Sequence, residues 1–74
     1  MSMEYVPVNS SNVSEVGFDS EASEWTLGVK FMNGSEYHYR DVPIDVYNSF
    51  LNSDSKGKFL HYEIKPNYAV TRIR

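Results

Sequence analysis

The sequence predicts an α+β domain: a small antiparallel sheet of three to four strands, built around a central hairpin and packed on two short C-terminal helices. The closing residues are able to add a final strand. Three observations lead there. Trp25, Leu27, Val29 and Phe31 recur at every second position, as do Tyr37 and Tyr39, and Asn33-Gly34 joins the two runs. Period-2 alternation means strand, and Asn-Gly between two such runs is the strongest short-range hairpin signal. From Val42-Pro43 onward the apolar spacing becomes helical. Strands thus come before helices along the chain, the order of a sheet with one face covered by a helix pair.

Taken in order, Tyr5 to Val8 is a short edge strand, because Pro7 lacks the N–H that a central position would need. Asn9-Ser10-Ser11-Asn12 is a turn cluster. Val13 to Asp19 is a second strand with Val16 and Phe18 on its inner face, and Asp19 to Glu24, polar and rich in small residues, is a loop. The hairpin occupies Glu24 to Asp41. Val42-Pro43 then opens a helix, with Pro43 at the first helical position and Asp45 at the positive end of the dipole. Val46, Tyr47, Phe50 and Leu51 form its apolar side. Asn52 to Ser55 interrupts it and offers caps for a second helix, from about Lys56 to Ile64, which stops before Pro66. The apolar set of that helix is Phe59, Leu60, Ile64 and, at its margin, Tyr62. Tyr68 to Ile73 alternates again, either as a last strand or as an extended segment over the helices.

The hairpin register decides what the tyrosines do. A two-residue Asn33-Gly34 loop sets Tyr37 and Tyr39 on the face of Gly28 and Lys30, as an exposed platform on which bases could stack. A three-residue loop with Gly34 as a left-handed bulge pairs Val29 with Tyr37 and Leu27 with Tyr39. This second register gathers the apolar residues on one face and leaves Lys30, Glu36, His38 and Arg40 on the other. Burial at roughly 25 cal/mol per Å² favours it, and it places the tyrosines mostly in the core, with their hydroxyls at the rim.

Seventy-four residues make one domain, spanning 1–74, whose core is marginal at this size. With no cysteine, no disulfide staples it and no thiolate is available for a metal or a substrate. The 15% aromatic content supplies the core instead. No signal-like segment or membrane-length apolar run is present, which points to a cytoplasmic protein without a membrane partner. The net charge of −3 argues mildly against general nucleic-acid affinity. Its distribution is uneven: residues 1–36 hold six acids and one base, residues 37–74 six bases and four acids.

His38 and His61 lie in different elements without metal-ligand spacing, and no nucleotide-binding, hydrolase or zinc-protease motif is present. The expectation is a monomeric, non-enzymatic domain without cofactor or metal. Ser55-Lys56-Gly57-Lys58 is the most suggestive segment. A capping serine leaves N–H groups pointing outward, Gly57 permits close approach, and two lysines add charge, a combination suited to phosphate. An ordinary capped helix with solvated lysines is the plain alternative.

Ser10-Ser11 with Val13, Val16-Gly17-Phe18-Asp19, Leu27 with Val29-Lys30-Phe31, Asn33-Gly34, Tyr37-His38-Tyr39, Val42-Pro43, Val46-Tyr47, Leu51, Ser55-Lys56-Gly57-Lys58-Phe59 and Ile64-Lys65 together resemble the KTSC domain family. That family takes its name from a domain at the C-terminus of some lysyl-tRNA synthetases, and it also occurs as free-standing small bacterial and phage proteins. The family has no established function, and its fusion to the synthetase suggests RNA, whether tRNA or single-stranded, as a partner. Tyr37 and Tyr39 fall on its Tyr-x-Tyr motif and Ser55, Lys56 and Gly57 on its Ser-Lys-Gly motif. On an RNA-binding reading, Lys56 and Lys58 at this helix start would hold phosphates, and Arg40, Arg72 and Arg74 would extend the basic surface. The other reading is a protein-interaction module that uses the free sheet face or the groove between sheet and helices. A contiguous basic patch joining Lys56, Lys58 and Arg40 favours RNA, whereas scattered charge with an exposed apolar patch favours a protein.

Overall fold

In the computed structural model, which describes residues 3–20 and 25–74, the hairpin takes the three-residue loop. The Phe31 amide donates to the Ser35 carbonyl at 2.8 Å and the Gly34 amide to the Phe31 carbonyl at 3.0 Å. Gly34 itself has a φ of +94°, a conformation that a Cβ would penalise. Val29 therefore faces Tyr37, and Leu27 faces Tyr39.

Five strands form one antiparallel meander, in the order β1 (Tyr5–Pro7), β2 (Val13–Asp19), β3 (Thr26–Phe31), β4 (Glu36–Arg40) and β5 (Val70–Arg72). The closing residues are thus a strand, and the sheet is one strand wider than the count expected without it. β1, with Pro7, is an edge. In β2 the pairing shifts between Val13 and Glu15. This bulge lets Val13 and Val16, three residues apart, both reach the interior, which strict alternation forbids. Of the loop expected over Asp19 to Glu24, Asp19 closes β2, and residues 21–24 lie outside the described ones.

The two helices fill the span between β4 and β5. Asp41, with a φ of +61°, turns the chain into the first of them. α1 runs over Ile44–Leu51, and Pro43 is its cap rather than its first helical residue: its ψ of 150° is extended, and its carbonyl accepts from Val46 and Tyr47. α2 (Lys56–Phe59) starts at Ser55, whose hydroxyl accepts the Lys58 amide at 3.2 Å. Its continuation, Leu60–Ile64, widens into a π turn in which the Lys65 amide reaches back to the Leu60 carbonyl at 2.9 Å. Pro66 has no N–H to offer the carbonyl four residues earlier, so the helix ends there. The Asn67 side chain instead caps the Glu63 carbonyl at 2.8 Å.

The core joins Val13, Val16, Leu27, Val29 and Tyr39 of the sheet to Val42, Phe50, Leu60 and Ile64. Val46, Tyr47, Leu51 and Phe59 pack against it, as their spacing predicts. Tyr62 does not: it is 67% exposed, on the outer side of the π turn. Each fully buried Val, Leu, Ile or Phe contributes on the order of 1.5–3 kcal/mol, which is how a chain without disulfides holds this fold.

The opposite sheet face carries Lys30, Glu36, His38 and Arg40, as the register requires, but part of it is covered. Gly17 and Gly28 are neighbours across β2 and β3, and the side chains of Met3 and Tyr5 lie over them. A Cβ on Gly28 would collide with Met3 and the Tyr5 ring, and one on Gly17 would stand 2.7 Å from the Glu4 carbonyl. The expectation of a free sheet face is corrected to that extent.

Candidate functional site

The eight residues singled out from the sequence occupy three separate places. Ser55, Lys56, Gly57 and Lys58 line a polar cleft of about 470 Å³ whose opposite wall is the Asn9–Asn12 turn. The Ser10 hydroxyl shapes that turn by accepting from the Asn12 and Val13 amides, each at 3.2 Å. Gly57 allows close approach, but the chain that approaches is this one: a Cβ there would meet the Asn12 amide nitrogen at 3.4 Å. Lys56 is engaged internally, its ammonium donating to the Ser53 carbonyl at 2.8 Å, whereas Lys58 is exposed. His61 and Tyr62 also line the cleft, their rings edge-to-face at 4.8 Å. The widened turn carries both, a feature that recurs at functional sites.

Tyr37 and Tyr39 lie elsewhere, in a groove of about 430 Å³ with Phe31, Lys65 and Val70. Tyr39 is 3% exposed and belongs to the core; burial, with Tyr37 beside it, pushes its phenol above the usual range. Tyr37 is half-buried and meets Phe31 edge-to-face at 5.6 Å. Neither forms an open platform. The Arg72 guanidinium stands 5.9 Å from the centre of the Tyr37 ring. Arg40 is on the far side of the sheet, donating to the Thr71 hydroxyl at 2.8 Å, and so does not join Lys56 and Lys58 in one basic patch.

The outer face, to which the register assigns Lys30, Glu36, His38 and Arg40, contains a polar network that also takes in Tyr5. The Glu36 side chain, on a residue only 9% exposed, accepts the Tyr5 hydroxyl at 2.6 Å. His38 Nε2 is 3.2 Å from that hydroxyl and 3.4 Å from the same carboxylate. Lys30 sits 4.2 Å above the centre of the Tyr5 ring and 3.7 Å from Glu15. The Tyr5 hydrogen bond holds the Glu36 carboxyl below its ordinary range against the opposing effect of burial, with smaller help from His38 and Lys30. Burial first, then the Glu36 bond and the nearby acids, raise the Tyr5 phenol well above its ordinary value. Among the described residues, no group of three or more His, Asp or Glu side chains is arranged to hold a metal, and no helix is long and apolar enough to cross a membrane.

The KTSC domain model matches residues 9–68, a span that includes both walls of the cleft and the Tyr-x-Tyr motif. The chain belongs to the KTSC domain family. A crystal structure of a KTSC domain protein from Yersinia pestis superposes with a TM-score of 0.86 at 30% identity, covering 99% of this chain and all of that one. A small protein from Tsukamurella paurometabola is 34% identical over 67 residues, 90% of this chain and 97% of its own length. An uncharacterized protein from Stutzerimonas stutzeri is 35% identical over 72 residues, covering 96% and 99% of the two chains. A lysine–tRNA ligase from Trichormus variabilis is 34% identical over 53 residues, 72% of this chain but 9% of the ligase.

Two pairs of residues in the cleft were missed from the sequence, His61 with Tyr62 and Asn9 with Asn12. His61 and Tyr62 share a helix face with Lys58 through i+3 and i+4 spacing, a signal that was legible. Asn9 and Asn12 carried only a turn signature, and their place opposite Gly57 is a tertiary fact.

Proposed function

We propose that this KTSC domain is a non-enzymatic cytoplasmic module that binds a short single-stranded stretch of RNA in the cleft between the Asn9–Asn12 turn and the start of α2. The observation that carries this reading is the convergence, in one cleft, of exposed Lys58, the side-chain amides of Asn9 and Asn12, and the exposed His61–Tyr62 pair. A cation for phosphate, amides for base edges and an aromatic face for stacking are what unpaired nucleotides are recognised by. Similarity to a segment of a lysine–tRNA ligase is consistent with an RNA partner. Because Arg40 lies on the other face, the footprint is one or two phosphates, not a long tract.

NMR titration of the labelled domain with a short single-stranded RNA and with a tRNA tests this. Shifts are expected at residues 9–12 and 55–62, with a log–log salt slope of about −0.7 per phosphate contact. Lys58→Ala should flatten that slope by about one contact, and Tyr62→Ala should weaken binding by about 1–3 kcal/mol. No binding at low salt, or binding without a salt slope, overturns the reading. The groove at Tyr37 favours a second kind of partner, a protein segment.

A further inference from the structure

The groove beside β5 collects the motif residues that the cleft leaves aside, and we infer that it receives an acidic, extended peptide that joins the sheet as a sixth strand. β5 ends the sheet. The Arg40 amide donates to the Ala69 carbonyl and the Ile73 amide to the Glu36 carbonyl, so Ala69, Thr71 and Ile73 direct their backbone groups toward β4. In an antiparallel ladder the residues between them, Val70 and Arg72, direct theirs outward. Among the described residues no further strand pairs with that edge. The Val70 and Arg72 side chains share the face of Tyr37 and Tyr39, where Phe31, Tyr37 and the 49%-exposed Val70 wall the groove. An added strand would place alternate side chains over this apolar surface while its backbone bonds to Val70 and Arg72, the arrangement by which sheet edges capture peptides.

Charge selects the occupant. Lys65 lines the groove, Arg72 stands by the Tyr37 ring, and Arg74 follows in the chain. Pairing the whole of this edge with the same edge of a second copy would set Val70 opposite Arg72 and leave the two Arg72 side chains as diagonal neighbours on one face, a like-charge arrangement that offers no carboxylate to either. The same cations attract a strand that carries carboxylates. The site does not depend on the cleft at α2.

The test is an NMR titration of the labelled domain with a blocked peptide whose Glu and Val side chains share one strand face (Glu-Thr-Val-Thr-Glu), its Lys-for-Glu counterpart and a backbone N-methylated form of the acidic peptide. The acidic peptide is expected to shift the Val70 and Arg72 amides and the Phe31 and Tyr37 rings, and the other two to bind at least about tenfold more weakly. Arg72→Glu should remove the preference for the acidic peptide. Val70→Pro removes an outward donor without touching the β4 bonds and should weaken binding; the N-methylated peptide asks the same question if that variant does not fold. Equal binding of the acidic and basic peptides, equal binding of the N-methylated form, shifts confined to the α2 cleft, or no binding at millimolar peptide each overturns the inference. RNA shifts at residues 55–62 that persist in Arg72→Glu separate its failure from that of the RNA reading.

Discussion

On the helix side of the sheet, Val16, Leu27 and Val29 are fully buried in one cluster with Phe50, Leu60 and Ile64. On the outer side, a tyrosine ring and a methionine rest on bare backbone at Gly17 and Gly28, and the most buried polar residue is Glu36. The first side is held by area removed from water, and its buried Tyr39 phenol, raised above the usual range, puts its pH response at the alkaline end. The second is held by shape at two glycines and by a charge whose partners all come from other strands or from two residues along its own. One sheet therefore has a face that fails by cavity formation and a face that fails by loss of a proton acceptor or of space.

The largest effect is expected from breaking the helix side. Leu27→Ala should cost about 2–5 kcal/mol in urea unfolding, from lost transfer energy and the cavity left behind. A domain of this size has a total stability of roughly 4–11 kcal/mol, so much of the fold is at stake. Next comes Gly28→Val on the outer side. The added side chain cannot coexist with Tyr5 and Met3 in their places, and the expected cost is about 1–3 kcal/mol. Because β1 is an edge that can lift away, the loss should appear as faster amide exchange in Val6 and its β2 partner Val16, with the β3–β4 ladder still protected.

Tyr5→Phe keeps the ring on Gly28 and removes only the hydroxyl. Leaving the Glu36 carboxylate without that donor should cost about 1–3 kcal/mol at neutral pH, toward the lower end because His38 remains. The folded carboxyl sits below its ordinary value of 4.5, so its contribution is fully present above that pH and is lost as pH falls through the lower folded value. The variant should therefore show a flatter acid limb in a stability–pH profile. At the other end, the raised Tyr5 phenol contributes stability that is present below about pH 10 and is lost as pH rises toward its folded value; Tyr5→Phe should shrink that limb and leave the share of the Tyr39 and Tyr47 phenols, which burial also raises. The smallest effect is expected from Lys30→Ala. Its ion pair with Glu15 is well exposed and its contact with the Tyr5 ring is partly so, which makes a loss below about 1 kcal/mol the expected result of urea titration.

Alternation and turn chemistry determined the hairpin, and burial favoured the register with the bulge at Gly34 over the two-residue loop that the same turn residues allow, because a one-residue slip would have moved a whole apolar set into water. Helical spacing and Pro66 determined both helices and the end of the second, and the order of elements determined the α+β class. These are local properties, or properties of one face, and one chain read alone carries them. The bulge that admits Val13, the Tyr5 ring over Gly28 and the Asn9–Asn12 turn against Gly57 were decided only in three dimensions. Each joins segments far apart in the chain, and nothing in a residue's own neighbourhood encodes which distant surface it will meet. For the same reason Tyr37, Tyr39 and Arg72 parted from Ser55 to Lys58: a shared charge or ring chemistry proposes partners, but the packing of helices on one sheet face decides which of them can share a site.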